Sequence, residues 1–450
     1  MIVPLTSNLN SFPAVAVLLL LAIIGVLLIA HGVRSIRFVN LTAPVLLGAV
    51  ATSSLLAFAI TFSNTLQSDE GTWHGWGTRA ADFLTGASSQ SVQYVEGKDG
   101  YIWIVGALYA IAGPAPLVPI LLNIILHALL ILTVSRITEI VAAQAPGVTE
   151  RVAKRAIMAS AYAVALSPSV FLWVPRMFRE IVGAFLISIA VLLVIKFATD
   201  HRSRYLFGAL IALAVLTSVR STVGFAVAVA LGIAGVLLWG IGTRYYSIRL
   251  VALLPPLGLA GVALWNTAND LFGLSPEEVS ARNRDLAISA SSGFSGGEAL
   301  SSSSGYMDIL TTNLPRVLFG PFVWEYRFTT VMMLAALEGL IWIATVYFAS
   351  QAHPLAALRS QRRAPSPGQD ISSAVVVILV VTGILLVILS LSVSNYGLLA
   401  RMRLMPFIVL LPLASVGLGM RLSKPPANGV SRRRSEAVSL AGKESASDGQ

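Results

Sequence analysis

Residues 13–30 read PAVAVLLLLAIIGVLLIA, a run without a single charged side chain. A helix that crosses a bilayer needs about 20 such residues, because each adds about 1.5 Å along a hydrocarbon core of about 30 Å. Similar apolar runs follow at residues 42–62, 115–135, 156–173, 181–198, 205–219, 222–242, 248–268, 329–349, 372–392 and 403–420. The sequence therefore predicts an all-α polytopic integral membrane protein with about 11 transmembrane helices.

Composition supports the same fold class. Of the 450 residues, 56% are hydrophobic and 12% are charged, against about 25% charged in soluble domains. These values exclude a soluble globular domain and a disordered chain. The net charge of +10 is explained by basic cytoplasmic loops and a basic tail, so we expect a lipid bilayer and no nucleic acid as partner. The absence of cysteine excludes disulfides and thiolate chemistry.

Lysine and arginine in the loops predict the orientation. With the N-terminus outside, the cytoplasmic segments hold about 20 of the 31 basic residues. Two large external loops then lie at residues 64–100 and 269–328, and residues 101–113 form a juxtamembrane helix that ends at the Gly-Pro-Ala-Pro break of residues 113–116. The polar residues 421–450 are expected to be a disordered cytoplasmic tail.

Five arginines oppose this sorting, because they lie in short turns on the external side. Guanidinium groups bind phosphate oxygens in pairs, and lysine does not. The alternative for any one of them is a helix cap or an ion pair with Glu180. Taken together they predict an anion site formed by Arg176, Arg179, Arg220, Arg401 and Arg403.

Acidic residues fall on the same side. Asp69 and Glu70 follow the second span, where a carboxylate is well placed to act as a general base on a water-soluble group. A solvated surface pair is the alternative. Glu180 begins the span at residues 181–198, where it also suits the helix dipole. Trp73 and Trp76 are expected to be interfacial anchors.

The order of these features resembles the GT-C glycosyltransferases that use polyprenyl-phosphate sugars, the dolichyl-phosphate-mannose-transferase-like proteins of bacteria. The similarity covers roughly residues 40–240. It is carried by residues 68–70 (SDE), 97–101 (GKDGY), 165–169 (ALSPS), 179–180 (RE) and 216–220 (LTSVR), with weaker matches at 320–325 (GPFVWE), 395–397 (NYG) and 401–403 (RMR). It implies a GT-C-like catalytic module over residues 41–242, an extra N-terminal helix and turn over 1–40, and C-terminal helices over 243–420.

The resemblance also implies a function. A sugar would move from a polyprenyl-phosphate donor to a hydroxyl of a glycan, lipid or protein acceptor, with inversion. The location would be the periplasmic or extracellular face of a bacterial inner membrane, in cell-envelope polysaccharide synthesis. A divalent cation would assist in some members. The implied catalytic residues are Asp69, Glu70 and Glu180, and the implied substrate-binding residues are Lys98, Tyr101, Arg176, Arg179, Arg220, Tyr396, Arg401 and Arg403.

Two other functions remain open at this point. An O-antigen-type polysaccharide polymerase or ligase would use basic residues of the loop at 269–328. A transporter or flippase would depend on Glu338 or His127, because ionisable groups inside the membrane mark ion and proton pathways. Asn123 is expected to make a helix–helix hydrogen bond.

Overall fold

The computed structural model describes residues 12–34, 39–62, 68–89, 92, 98–145, 147–240, 281, 306–325, 329–352, 371–393 and 395–423. Every regular element within these residues is helical. The helices are α1 Phe12–Arg34, α2 Val39–Phe62, α3 Ser68–Leu84, α4 Asp99–Ala112, α5 Leu117–Gln144, α6 Glu150–Leu166, α7 Pro168–Trp173, α8 Glu180–Asp200, α9 Ser203–Val219, α10 Ser221–Gly240, α11 Tyr306–Phe319, α12 Thr330–Gln351, α13 Ile371–Ser392, α14 Tyr396–Met402 and α15 Leu404–Ser423, with a 3₁₀ turn at Val323–Glu325.

Eight of these helices are long and apolar enough to cross a membrane, namely α1, α2, α5, α8, α10, α12, α13 and α15. The chain is therefore an α-helical polytopic membrane protein. The predicted span at 205–219 corresponds to the shorter helix α9, and the predicted span at 248–268 lies outside the described residues. The total of about 11 spans stays a prediction, as does the division into segments at residues 40 and 242.

The predicted single span at 156–173 is wrong. Helix α6 begins earlier, at Glu150, where the Thr149 side chain accepts a hydrogen bond from the backbone N–H of Val152. It ends at Leu166, and Pro168 starts the separate helix α7. Proline lacks an N–H and disfavours helical geometry in the residue before it, so Ser167 adopts a ψ of 126° and the chain turns there.

Two helices, α3 and α4, lie side by side across one end of the bundle. Their close approach requires glycine, because a Cβ at Gly106 would lie 2.5 Å from the Cβ of Ala80. Helix α4 packs against the end of α9 through Gly100 and against the start of α1 through Ala112. The predicted juxtamembrane helix is confirmed as a helix, and its end at Gly113 has a φ of 79°. The predicted loop at 64–100 contains all of α3.

The end of the bundle crossed by α3 and α4, here named the site end, is also where α9 ends at Val219 and where α8 and α15 begin. At the opposite end, Arg155 of α6 donates to the backbone carbonyl of Leu422 in α15 at 2.7 Å. Of the predicted late loop, residues 306–325 are described and form α11 and the 3₁₀ turn. The Ser/Gly-rich part of that loop and the tail beyond Ser423 lie outside the described residues.

Candidate functional site

A charged cluster lies at the site end and unites nine of the eleven residues implied by the resemblance. Asp69 and Arg401, which meet in an ion pair, are 332 residues apart in sequence. The members come from α3, from the start of α4, from the turn before α8, from the α9–α10 junction and from α14. They are Asp69, Glu70, Lys98, Tyr101, Arg176, Arg179, Glu180, Arg220 and Arg401.

The three carboxylates of the cluster differ sharply in exposure. The side chain of Glu70 is 1% exposed and binds Arg176 at 3.0 Å. That of Glu180 is 5% exposed and binds Arg220 at 2.7 Å. Buried charges require partners of this kind, because removal from water costs several kcal/mol per ion. Asp69 is 53% exposed and binds Arg401 at 2.7 Å, so it is the carboxylate of the three that solvent reaches.

Aromatic rings hold the cations in place. The guanidinium carbon of Arg401 lies 4.8 Å from the ring centroids of both Trp173 and Phe178. Arg179 lies 5.3 Å from the ring of Trp73, which is buried and packs edge-on against Tyr101. The prediction that Trp73 is an interfacial anchor is therefore wrong. These cation–π contacts restrict the positions of the two guanidinium groups, which are otherwise carried on flexible side chains.

The turn between α7 and α8 carries two of the arginines and is fixed by side chains from other helices. The amide nitrogen of Asn123 donates to the backbone carbonyls of Arg176 and Phe178 at 2.8 and 2.9 Å. The backbone N–H of Met177 donates to the Glu70 carboxylate at 3.2 Å. Asn123 thus bonds to the backbone of the turn before α8, whereas the sequence predicted a helix–helix hydrogen bond for it.

The electrostatics of the cluster favour an anion. Five cationic side chains face three carboxylates. Burial lowers the pKa of Lys98, and the nearby Arg179 and Arg220 lower it further, against an opposing effect of Asp69. Burial also lowers the pKa of Arg179, as does the charge of Arg220. Cations crowded together away from water in this way would be stabilised by an added negative charge.

Several polar atoms in and beside the cluster are buried without a hydrogen-bond partner among the described residues. Buried polar atoms are nearly always bonded, so these donors and acceptors are suited to water or a polar ligand. They are Trp173 Nε1, Glu180 Oε2, Arg220 Nε and Arg401 Nε. Both donors and acceptors are present, as a ligand with hydroxyl groups would require.

The other two implied residues lie in a second group. The hydroxyl of Tyr396 donates to Glu325, which also binds Arg316 at 2.8 Å. Arg403 donates to four backbone carbonyls at the end of α11 and in α12, at 2.7–3.2 Å: those of Arg316, Val317, Gly320 and Ala335. The guanidinium of Arg403 therefore caps a helix. Neither Arg403 nor Tyr396 belongs to the charged cluster.

The two intramembrane candidates are also separate from the cluster. Glu338 accepts a hydrogen bond from the backbone N–H of Ser169 at 2.7 Å, so it holds the start of α7. His127 is buried in α5. Among the described residues no three His, Asp or Glu side chains gather so as to hold a metal ion. Each acid of the cluster instead faces its own arginine.

Fold and site together define a polytopic helical membrane protein with a charged, aromatic-lined cluster at one end of its bundle. No family model, curated protein or solved structure matches the chain. The contacts of Trp173 and Phe178 with Arg401 were missed from the sequence, since nothing in an apolar stretch distinguishes a ring that contacts a cation from one that faces lipid.

Proposed function

We propose that this protein is a membrane glycosyltransferase that moves a sugar from a polyprenyl-phosphate donor to a hydroxyl acceptor on the external face. One observation supports this most strongly: an exposed carboxylate, Asp69, lies within a partly buried, aromatic-lined group of cations. A base that solvent reaches and a fixed anion site are the two requirements for transfer from a lipid phosphate.

In the proposed reaction Asp69 accepts the proton of the acceptor hydroxyl. The acceptor oxygen forms a bond to the anomeric carbon while the bond from that carbon to the phosphate oxygen breaks. The leaving phosphate keeps the electron pair, so its negative charge rises by one. Lys98, Arg220 and Arg401 stabilise that charge, and the anomeric configuration inverts.

The remaining members of the cluster have supporting roles in this proposal. Glu70 fixes the turn that carries Arg176, and Glu180 orients Arg220. The hydroxyl of Tyr101 and the unpartnered Oε2 of Glu180 contact hydroxyls of the sugar. Tyr396 and Arg403 are not assigned contacts with substrate, because their polar groups bond to Glu325 and to backbone carbonyls.

The test uses purified protein in lipid nanodiscs with a panel of radiolabelled polyprenyl-phosphate sugars and a membrane extract as the source of acceptor. We expect one donor to be consumed and a labelled glycan, lipid or protein to form. Glu338→Gln serves as the control variant, because Glu338 lies outside the cluster.

Other outcomes of this experiment would overturn the proposal. Lengthening of lipid-pyrophosphate oligosaccharides without use of a monophosphate donor would identify a polymerase. Movement of lipid or solute across the membrane with no covalent product, abolished by Glu338→Gln, would identify a transporter.

A further inference from the structure

The two partners of the Asp69–Arg401 ion pair differ in how firmly their side chains are held. Arg401 lies against the rings of Trp173 and Phe178, which contact each other edge to face, and its side chain is 22% exposed. Asp69 is more than half exposed and lies in the first turn of α3. The cation is therefore fixed and the carboxylate is the partner that can rotate away.

The pair also differs from the other two pairs of the cluster. Separation of Arg176 from Glu70, or of Arg220 from Glu180, would leave a buried carboxylate without its cation. Separation of Asp69 from Arg401 would expose Asp69 to water, and exposed ion pairs contribute little to stability. Of the three contacts, this is the one that a ligand can replace at low cost.

A phosphate group can compete with a carboxylate for Arg401, because a guanidinium binds either of them through two parallel hydrogen bonds. The Nε of Arg401 is buried and unpartnered. Lys98 and Arg220 add attraction for an anion but not for a neutral sugar. The Asp69 carboxylate and an incoming phosphate thus compete for the same guanidinium.

We propose that the Asp69–Arg401 pair is a latch opened by phosphate: a phosphate group bound at Arg401 displaces the carboxylate of Asp69 and releases it to act as a base. The inference rests on the proposed function for the role of Asp69 as base. It adds that the base is free only when the anion site is filled.

Competition is tested by a double-mutant cycle on binding, without any transfer reaction. Wild type, Asp69→Asn, Arg401→Gln and the double variant are placed in phosphatidylcholine nanodiscs. Dissociation constants are measured for a 55-carbon polyprenyl phosphate and for inorganic phosphate. Asp82→Asn on the same helix and Arg202→Gln at the opposite end of the bundle are the matched controls.

We expect Asp69→Asn to tighten binding about fivefold, the size of one exposed ion pair, and Arg401→Gln to weaken it. In the Arg401→Gln background, Asp69→Asn should leave the dissociation constant unchanged, because carboxylate and phosphate no longer compete for a guanidinium at this position. Coupling seen with both probes would identify the phosphate group alone as sufficient, and coupling seen with the lipid alone would show that the chain is needed to deliver it.

Two outcomes would overturn the latch. Equal tightening by Asp69→Asn in both backgrounds would mean simple long-range repulsion, and no tightening in either would mean that the pair stays closed. Arg401→Lys, which keeps the charge, guards against a folding defect and should retain part of the coupling. Absence of coupling in a protein that still transfers sugar would refute the latch alone, whereas coupling without transfer would refute the proposed function.

Discussion

Asp69 and Glu70 are neighbours in sequence and have opposite environments. One residue corresponds to about 100° around a helix, which turns Glu70 into the protein and Asp69 towards solvent. The sequence nominated both as candidates for the base and could not separate them, because that choice depends on how α3 is rotated against the turn before α8. The structure favours Asp69 by exposure.

Lys98 gives a pH dependence with a definite sign. Burial and the neighbouring arginines lower its pKa, so its ammonium loses the proton at a lower pH than an ordinary lysine. Binding of polyprenyl phosphate should therefore weaken with rising pH, and the decline should be centred below the ordinary lysine pKa of about 10.4.

The check is the dissociation constant measured from pH 7 upwards. Lys98→Arg should move the decline to higher pH. Lys154 pairs with Glu150 at the start of α6, so Lys154→Arg should leave the pH profile as in wild type. An unchanged profile in Lys98→Arg would remove Lys98 from the anion site.

Asn123 should matter for stability through the turn that it holds. Asn123→Leu leaves two backbone carbonyls without their donors, those of Arg176 and Phe178, and should lower the free energy of unfolding by about 2 kcal/mol. Thr138→Val on the same helix removes a hydroxyl that bonds only to Val134 within α5, and should cost less. Unfolding in mixed micelles measures both, and equal losses would contradict the role of Asn123.

At the scale of elements, hydropathy predicted the long helices well, because a bilayer span is set by length and apolar content alone. It missed the break at Ser167–Pro168, where an apolar run continues through a proline that ends one helix and starts another. It also missed α3, which is a mixed helix within a predicted loop. Both errors concern segments at the site end, where side-chain contacts and not the bilayer decide the conformation.

The position of α4 depends on a glycine that the sequence did not single out. A Cβ at Gly100 would collide with the side chain of Ser218 and lie 2.6 Å from its carbonyl carbon. Gly100→Ala should therefore displace α4 from α9, shift Lys98, and cost about 1–3 kcal/mol. Gly232→Ala in α10 meets open space and should cost nothing.

Thermal unfolding and sugar transfer of the two glycine variants provide the measurement. The contact between α4 and α9 would be irrelevant to the site if Gly100→Ala transferred sugar at the rate of Gly232→Ala.

At the scale of the molecule, the sequence predicted which residues form most of the candidate site. It did not predict which of them contact one another. Arginines in the short turns at one end of the bundle stand out in an apolar sequence, and nine of the eleven residues implied by the resemblance converge. The exception of Arg403 has a physical reason: a guanidinium next to a helix end can bond to carbonyls as readily as to phosphate, and sequence alone does not show which carbonyls are near.

The orientation of the bundle is open to direct test, because the chain has no cysteine and any introduced one is unique. Ala87→Cys lies just after α3 and Arg202→Cys lies between α8 and α9. The distribution of basic residues predicts that the site end faces outside. A membrane-impermeant maleimide should label Ala87→Cys on intact cells and Arg202→Cys only after permeabilisation. The reverse pattern would place the cluster on the cytoplasmic side.

The central claim is that the charged cluster performs transfer with Asp69 as its base. The most direct measurement is the rate of sugar transfer by Asp69→Asn relative to Asp82→Asn, in the nanodisc assay and at matched folded protein. We expect Asp69→Asn to transfer sugar at least about 100-fold more slowly, as the removal of a general base does. Asp82→Asn should match wild type. Transfer by Asp69→Asn at the wild-type rate would contradict it.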